Sequence, residues 1–200
     1  MPRERTTAPR PDATRTLRLV TTLHLVRHGE TEWNAQGRVQ GQTDVPLSTQ
    51  GRKQARELAE RLAHSGIGAI WSSDLQRALD TAQPLAERLG LELHVTEALR
   101  ERNFGDDEGK HDDEVWPRHP DSYWRDPDTA HPNGESRRDV WNRVAAFLDA
   151  LLEDPPADEI ALVTHGGPIR LGVAYLQHEE IASIEWRAIA NVSVTTVEVD

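Results

Sequence analysis

The chain of 200 residues contains no cysteine. Disulfide frameworks, thiolate metal sites and cysteine nucleophiles are therefore excluded, and a reducing compartment such as the cytoplasm is expected. Nor is there a run approaching the roughly 18 apolar residues of a membrane span. Positive charge is scarce: 23 Lys and Arg stand against 34 Asp and Glu, a net −11. A general binder of nucleic acid or of an anionic membrane would carry the opposite balance. The first 22 residues are the exception, with five Arg against Glu4 and Asp12. They lack the unbroken apolar core of a secretory signal, and their composition predicts a disordered tail.

What remains, residues 23–200, is long enough for one domain with a full core and short for two. Apolar runs at "LHLV" (23–26), "IGAIWSS" (67–73), "LELHV" (91–95), "EIALVT" (159–164) and "NVSVTTVEV" (191–199) predict five strands. Helical spacing lies between them. Ser48 or Thr49 caps a pattern buried through Ala55, Leu58, Ala59 and Leu62. Asp74 is expected to cap "LQRALDTAQPLAERLG", with Pro84 kinking or breaking it. "SRRDVWNRVAAFLDALLED" is expected to bury Val140, Val144, Phe147, Leu148 and Leu151. Residues 105–134, rich in Gly, Asp, His and Pro, predict a long lid-like insertion with a short helix at most. Alternating strands and helices predict a three-layer α/β/α sandwich around a mainly parallel sheet.

Two of these strands end in nearly the same phrase, "LHLVRHGETEWN" (23–34) and "ALVTHGGPIR" (161–170). In open α/β sheets, ligands bind beyond the carboxyl ends of strands, where helices begin. His28 and His165 both fall there. So does Arg77 in "SSDLQR", while Glu101 in "TEALRE" follows the third strand closely. Singly, each of these residues reads as a hydrogen-bonded or solvated structural residue; their joint placement is what points to chemistry.

Helix N-termini on that rim add backbone donors suited to phosphate. The set suits phosphoryl transfer to imidazole. One neutral His attacks phosphorus, Arg forks and a second, protonated His hold the equatorial oxygens, and a carboxylic acid protonates the departing alkoxide. A glycine after each His permits close approach to the anion. Guanidinium charge takes the place of a metal, and no metal or other cofactor is expected.

"LVRHGETEWN" closely resembles the signature of the histidine phosphatase superfamily, in its phosphoglycerate-mutase-like branch. The resemblance continues in order through "GRVQGQTDVPLSTQGRKQA", "SSDLQRALDTA", "LRERNFGDDEG", "NGES" and "VTHGGPIR". It implies a phosphoglycerate mutase-like fold, with His28 as the phosphorylated nucleophile. Arg27, Arg77 and His165 would form the phosphate pocket, with Glu101 the proton donor. Asn34, Gln40 and Gly41 would contact phosphate or substrate, and Gly166 is added as a backbone contact after the second His. One departure stands out: Asp107 in "GDDEG" occupies a place where many relatives carry an aromatic.

Relatives of this kind hydrolyse phosphate monoesters or move phosphate within phosphoglycerate. Residues 106–131 hold nine Asp or Glu against Lys110, Arg118 and Arg125, a cover that repels a multiply charged anion. The expectation is thus a phosphomonoester hydrolase acting on a small-molecule ester, most active on the acidic side of neutral because burial raises the carboxyl's pKa. A cofactor-dependent mutase is the alternative. A non-catalytic adaptor for phosphorylated ligands is a further one, though all five catalytic positions are intact. Trp116, Tyr123 and Trp124 either stack on the substrate body or pack the lid. His111, Asp112, Asp113, His119 and His131 match no strong metal pattern and are expected to be solvated loop groups. Oligomeric state is left open.

Overall fold

Strands β1 (Thr21–Arg27), β2 (Ala69–Ser73), β3 (Leu93–Thr96), β4 (Glu159–Thr164) and β5 (Val194–Val199) form one sheet in the order β3-β2-β4-β1-β5. Every neighbouring pair is parallel except β5, which runs antiparallel to β1. The computed structural model describes residues 20–118, 126–185 and 187–200. Residues 1–19 of the expected tail, and His119, Tyr123 and Trp124 of the expected lid, lie outside these. Thr21 and Thr22, counted with the tail from sequence, belong to β1, and Thr22 N donates to the Asp158 carbonyl at 2.8 Å.

The helices are α1 (Glu32–Ala35), α2 (Thr49–Arg61), α3 (Gln76–Leu89), α4 (Asp112–Val115), α5 (Arg137–Glu153) and α6 (Gly166–Leu176). Strand β4 shows why both faces of the sheet are covered: it is buried from Ile160 to Thr164, and its side chains alternate between two cores. Ile160 and Leu162 pack with Leu23, Leu25, Val144, Leu148, Ile169 and Leu171, on the side of α5 and α6. Ala161 and Val163 face the other way, towards Leu58, Ala59, Ala78, Ala82 and Leu85 of α2 and α3. This is the three-layer α/β/α sandwich expected from sequence.

Helix ends account for most local differences from that expectation. Ser48 caps α2, accepting from Gly51 N at 3.0 Å, and Ser136 with Asp139 forms a capping box on α5. Asp74, however, does not cap α3. Its carboxylate is taken by Arg100, whose Nε donates to Oδ1 at 2.8 Å and whose Nη2 donates to Oδ2. The first turn of α3 is capped from outside instead, by Asp44 Oδ1 accepting from Gln76 N at 2.7 Å. Pro84 does not break α3 either. The helix continues to Leu89 because Ala82, Leu85 and Ala86 are buried on either side of it. Phe147 is only partly buried, packing at the margin of its core.

Asp44 is exposed, and an ordinary exposed residue changes stability by about 0.5 kcal/mol at most when truncated. As the cap of α3, Asp44→Ala should destabilise by about 1 kcal/mol. Urea denaturation checks this; an unchanged midpoint would show that the α3 N-terminus does not depend on Asp44.

Candidate functional site

The parallel register of β1 on β4 pairs Arg27 with Thr164 at the carboxyl ends of the two strands. The next residue of each chain is the His of its His-Gly pair. His28 N donates to the Thr164 carbonyl at 2.9 Å, and the two imidazole rings lie with centroids 5.0 Å apart. The repeated phrase therefore reflects one juxtaposition, not a structural repeat.

Both rings are nearly inaccessible, at 3 % exposure for His28 and 0 % for His165. His28 Nδ1 lies 2.7 Å from the Gly29 carbonyl, an acceptor only, so the proton resides on Nδ1 and Nε2 keeps its lone pair. Gly29 N donates in turn to Thr81 Oγ1 at 2.9 Å, and Asn191 Nδ2 donates to the His28 carbonyl at 2.9 Å. Burial, with Arg77 and then Arg27 alongside, holds the His28 pKa well below its ordinary value. His165 is shifted down in the same way, by burial first and Arg77 next. The protonated second His expected from sequence is thus disfavoured in the unliganded site. His165 Nε2 meets Ser73 Oγ at 3.0 Å, and its Nδ1 is buried without a hydrogen-bond partner.

Arg77, in the first turn of α3, is fully buried. Its Nη1 donates to the Thr43 carbonyl at 3.0 Å and its Nη2 to the Gly41 carbonyl at 2.6 Å, while Nε has no partner. Desolvation, partly offset by Glu101, brings its pKa down to about 10, so it remains a cation. Arg27 Nη1 donates to the Ile189 carbonyl, and Arg27 Nε is again buried and unpartnered. Glu101 arrives by a separate route: Thr164 Oγ1 donates to the Leu99 carbonyl at 2.6 Å, tying the segment after β3 to the end of β4. The Glu101 carboxylate accepts from Arg102 N at 2.8 Å through Oε1 and from Gly167 N at 3.1 Å through Oε2.

These groups surround one cavity of about 170 Å³, lined by Arg27, His28, Asn34, Gln40, Gly41, Arg77 and Glu101, with Arg38, Phe104, Asp112 and Trp116 at its margin. His165 is not among the described lining residues; its ring lies 5.0 Å from that of His28. Gln40 Oε1 is buried without a partner, whereas Asn34 Oδ1 accepts from Thr31 N at 3.2 Å and from Asn191 Nδ2 at 3.3 Å. Gly41 adopts φ +57°, and a Cβ there would strike the Glu108 carboxylate at 1.9 Å. Gly166 does not line the cavity. Its neighbour Gly167 is the constrained position, where a Cβ would come within 2.2 Å of Glu101 Oε1.

Sequence reasoning missed several supporting residues: Ser73, Thr81, Asn191, Gly167 and above all Glu108. The Glu108 carboxylate accepts from Gln42 N and Thr43 N at 2.8 Å and from Phe104 N at 3.0 Å, joining the loop under Arg77 to the segment after Glu101. Only its place in "GDDEG" could have signalled this. Asp107, the departure noted above, is buried between His131 Nδ1 at 2.7 Å and Lys110 Nζ at 2.8 Å. Burial raises its pKa, but these two partners outweigh that and bring it to about 2. Among the described residues no three His, Asp or Glu side chains converge as a metal site. Nor is any helix there long and apolar enough to cross a membrane.

The family model of the histidine phosphatase superfamily (branch 1) matches residues 23–200. A probable phosphoglycerate mutase GpmB from Cronobacter sakazakii is 39 % identical over 150 residues, covering 72 % of this chain and 69 % of that protein. Among solved structures, a mycobacterial glucosyl-3-phosphoglycerate phosphatase complexed with VO3 superposes with TM-score 0.81 at 36 % identity, covering 88 % of this chain and 90 % of the other. A phosphoserine phosphatase variant from Entamoeba histolytica, bound to phosphoserine, gives TM-score 0.77 at 32 % identity, covering 88 % and 89 %.

The buried neutral imidazoles make stability depend on pH. Below about 6.5 an unfolded His takes up a proton, while His28 and His165 in the fold resist it. The unfolded state then binds more protons, so stability present above pH 6.5 is lost as pH falls, by at most about 1.4 kcal/mol per unit for each histidine. Urea midpoints in phosphate-free buffer should drop between pH 7.5 and 5.5, and drop less in His165→Gln. An equal drop in both proteins would remove His165 from this account.

Proposed function

The chain belongs to the histidine phosphatase superfamily, and from that premise we propose that it is a phosphomonoester hydrolase working through a phosphohistidine at His28. The observation that carries this reading is the pair of imidazoles 5.0 Å apart beside a cavity lined by Arg27 and Arg77. His28 Nε2 attacks phosphorus in line, helped by a hydrogen bond that keeps the proton on Nδ1 and by burial beside cations, which keeps the ring neutral. Arg27, Arg77 and His165 bear the charge on the equatorial oxygens. Glu101 protonates the leaving oxygen and then takes a proton from the water that cleaves the P–N bond. Atoms balance: one ester and one water give one alcohol and one phosphate.

Gln40 and Asn34 would orient the phosphoryl group, and Gly41 acts through its carbonyl, which aims Arg77. The guanidinium groups supply the positive charge, with imidazole as a hydrogen-bonding neighbour, so the reaction as proposed uses no metal. The substrate is a small phosphate ester in the cytoplasm. The likeness to GpmB favours a second reading, transfer between positions of phosphoglycerate. Substantial mutase turnover of 3-phosphoglycerate with 2,3-bisphosphoglycerate present would establish it.

Turnover of p-nitrophenyl phosphate, abolished in His28→Ala, tests the first reading; phosphate binding without turnover would make the protein an adaptor. Removing the Arg77 fork with Arg77→Ala should lower kcat/KM by about 100- to 1000-fold, a loss of about 2.7–4 kcal/mol of transition-state stabilisation that is usual for a preorganised donor. Because His28 stays neutral well below pH 6.5, its protonation should not limit the rate between pH 7 and 5.5. A kcat/KM that falls tenfold per unit below 6.5, in step with an ordinary imidazole, would contradict the assignment of His28 as a buried neutral nucleophile.

A further inference from the structure

Past Glu101 the small cavity meets a second compartment, of about 390 Å³. Glu101, Phe104 and Trp116 line both, so the proposed proton donor stands at the boundary. An ester whose phosphorus faces His28 has its bridging oxygen at that boundary, and its alcohol must continue into the second space. The inference rests on the phosphatase reading for this orientation.

The described walls of the compartment beyond Glu101 are chiefly Phe104, Trp116, Leu171, Arg102 and Arg170. Most of their polar atoms donate within the protein. Arg170 donates through Nε to the Arg187 carbonyl at 2.7 Å and through Nη1 to the Gly166 carbonyl at 3.1 Å. Trp116 Nε1 donates to Asp112 Oδ1 at 3.0 Å, and Leu171 is apolar. Arg102 lies with its Cζ 4.7 Å from the Phe104 ring centroid, and its Nη2 donates to His131 Nε2 at 2.7 Å.

That last bond is set from behind. His131 is 2 % exposed, and its Nδ1 donates to Asp107, whose other oxygen takes Lys110. The carboxylate fixes the imidazole proton on Nδ1 and so leaves Nε2 as the acceptor that Arg102 requires. The chain Lys110, Asp107, His131, Arg102 thus ends under the ring that walls the compartment. Arg102 N also holds Glu101, so the same chain bears on the boundary.

We propose that this compartment is the leaving-group subsite, that it selects a flat apolar alcohol over a polyol, and that His131 and Asp107 are the positioning residues that keep its wall in place. The physical reason is hydrogen-bond supply. A polyol entering here exchanges water for ring carbon, methyl groups and guanidinium donors that are mostly committed, so its hydroxyls find few partners among the described residues. An aromatic body gains from burial of its surface.

The test compares benzyl phosphate with glycerol 1-phosphate, both leaving as primary alkoxides, and benzylphosphonate with methylphosphonate, which bind without reaction. Wild type should show a kcat/KM at least about tenfold higher for benzyl phosphate, mainly through KM, and at least about tenfold tighter calorimetric binding of benzylphosphonate. Phe104→Leu and His131→Ala should cut both advantages to about threefold or less. His131→Gln, whose amide can accept from Arg102 and donate to Asp107, should retain them. Equal binding of the two phosphonates, or preference for the glycerol ester, overturns the subsite. A His131→Ala protein that loses both esters in equal proportion overturns the positioning role. Preferential benzylphosphonate binding with no turnover of either ester leaves the subsite standing and removes the hydrolase reading instead.

Discussion

Everything at the site depends on the register of β1 against β4. Because Arg27 pairs with Thr164, the first residue beyond each strand is a histidine, and the two rings meet. A slip of one residue would send alternate side chains to opposite faces of the sheet. The register is held by more than ladder bonds. Leu23, Leu25, Ile160 and Leu162 share one core, Val26 and Val163 the other. The two cores that stabilise the sandwich therefore also set the distance between the imidazoles. Parallel pairing contributes something further: it brings both strand ends to one edge, beside the N-termini of α3 and α6.

The second constraint is the expense of holding cations out of water. Arg77 is fully buried, and Arg27 and Arg77 each keep a buried Nε without a hydrogen-bond partner. An orphaned buried donor destabilises a fold by about 1–3 kcal/mol. Two carbonyls, from Gly41 and Thr43, fix the rest of the Arg77 fork, so the ion is oriented before any ligand arrives. A phosphoryl group would supply the missing acceptors and opposite charge together. Burial, with these cations next, explains why the histidines resist protonation, and it would let His28 attack, under the proposed mechanism, at a pH where a free imidazole is half charged.

Much of this was legible in the sequence. The five strands and the principal helices carry clear period-2 or period-3.6 patterns, and the site residues cluster after strands. What was not legible depended on contacts between distant segments. Asp74 has the right residue type and position for an N-cap, yet Arg100, distant in sequence, offers a bidentate partner that no local pattern reveals. Asp44 then serves in its place. Glu108 looks like one more acid in a run of acids, but its two oxygens tie together backbone from two loops. Pro84 would end an isolated helix; burial on both sides of it overrides that local preference. The downward shift of the His165 pKa is likewise invisible in the sequence, which shows neither its burial nor the proximity of Arg77.

The nature of the phosphoryl acceptor turns on where a second charged group could go. A bisphosphorylated intermediate must place one phosphate on the His28 side and the other nearby. The smaller cavity, at about 170 Å³, already holds Asp112 and Glu101 at its wall. Beyond it Phe104, Trp116 and Leu171 share the wall with Arg102 and Arg170, whose guanidinium groups already donate to His131 and to the Arg187 and Gly166 carbonyls. The lid acids counted from sequence are mostly turned to other uses: Asp107 to His131 and Lys110, Glu108 to backbone amides, Asp128 to Arg138. A second phosphate would have to draw on the committed donors of Arg102 and Arg170, beside ring carbon that cannot replace its hydration, and this disfavours it more than the acidic cover does. Water, being small and uncharged, needs no second anion site, so the same surroundings hinder it less as an acceptor than they hinder a bisphosphorylated intermediate.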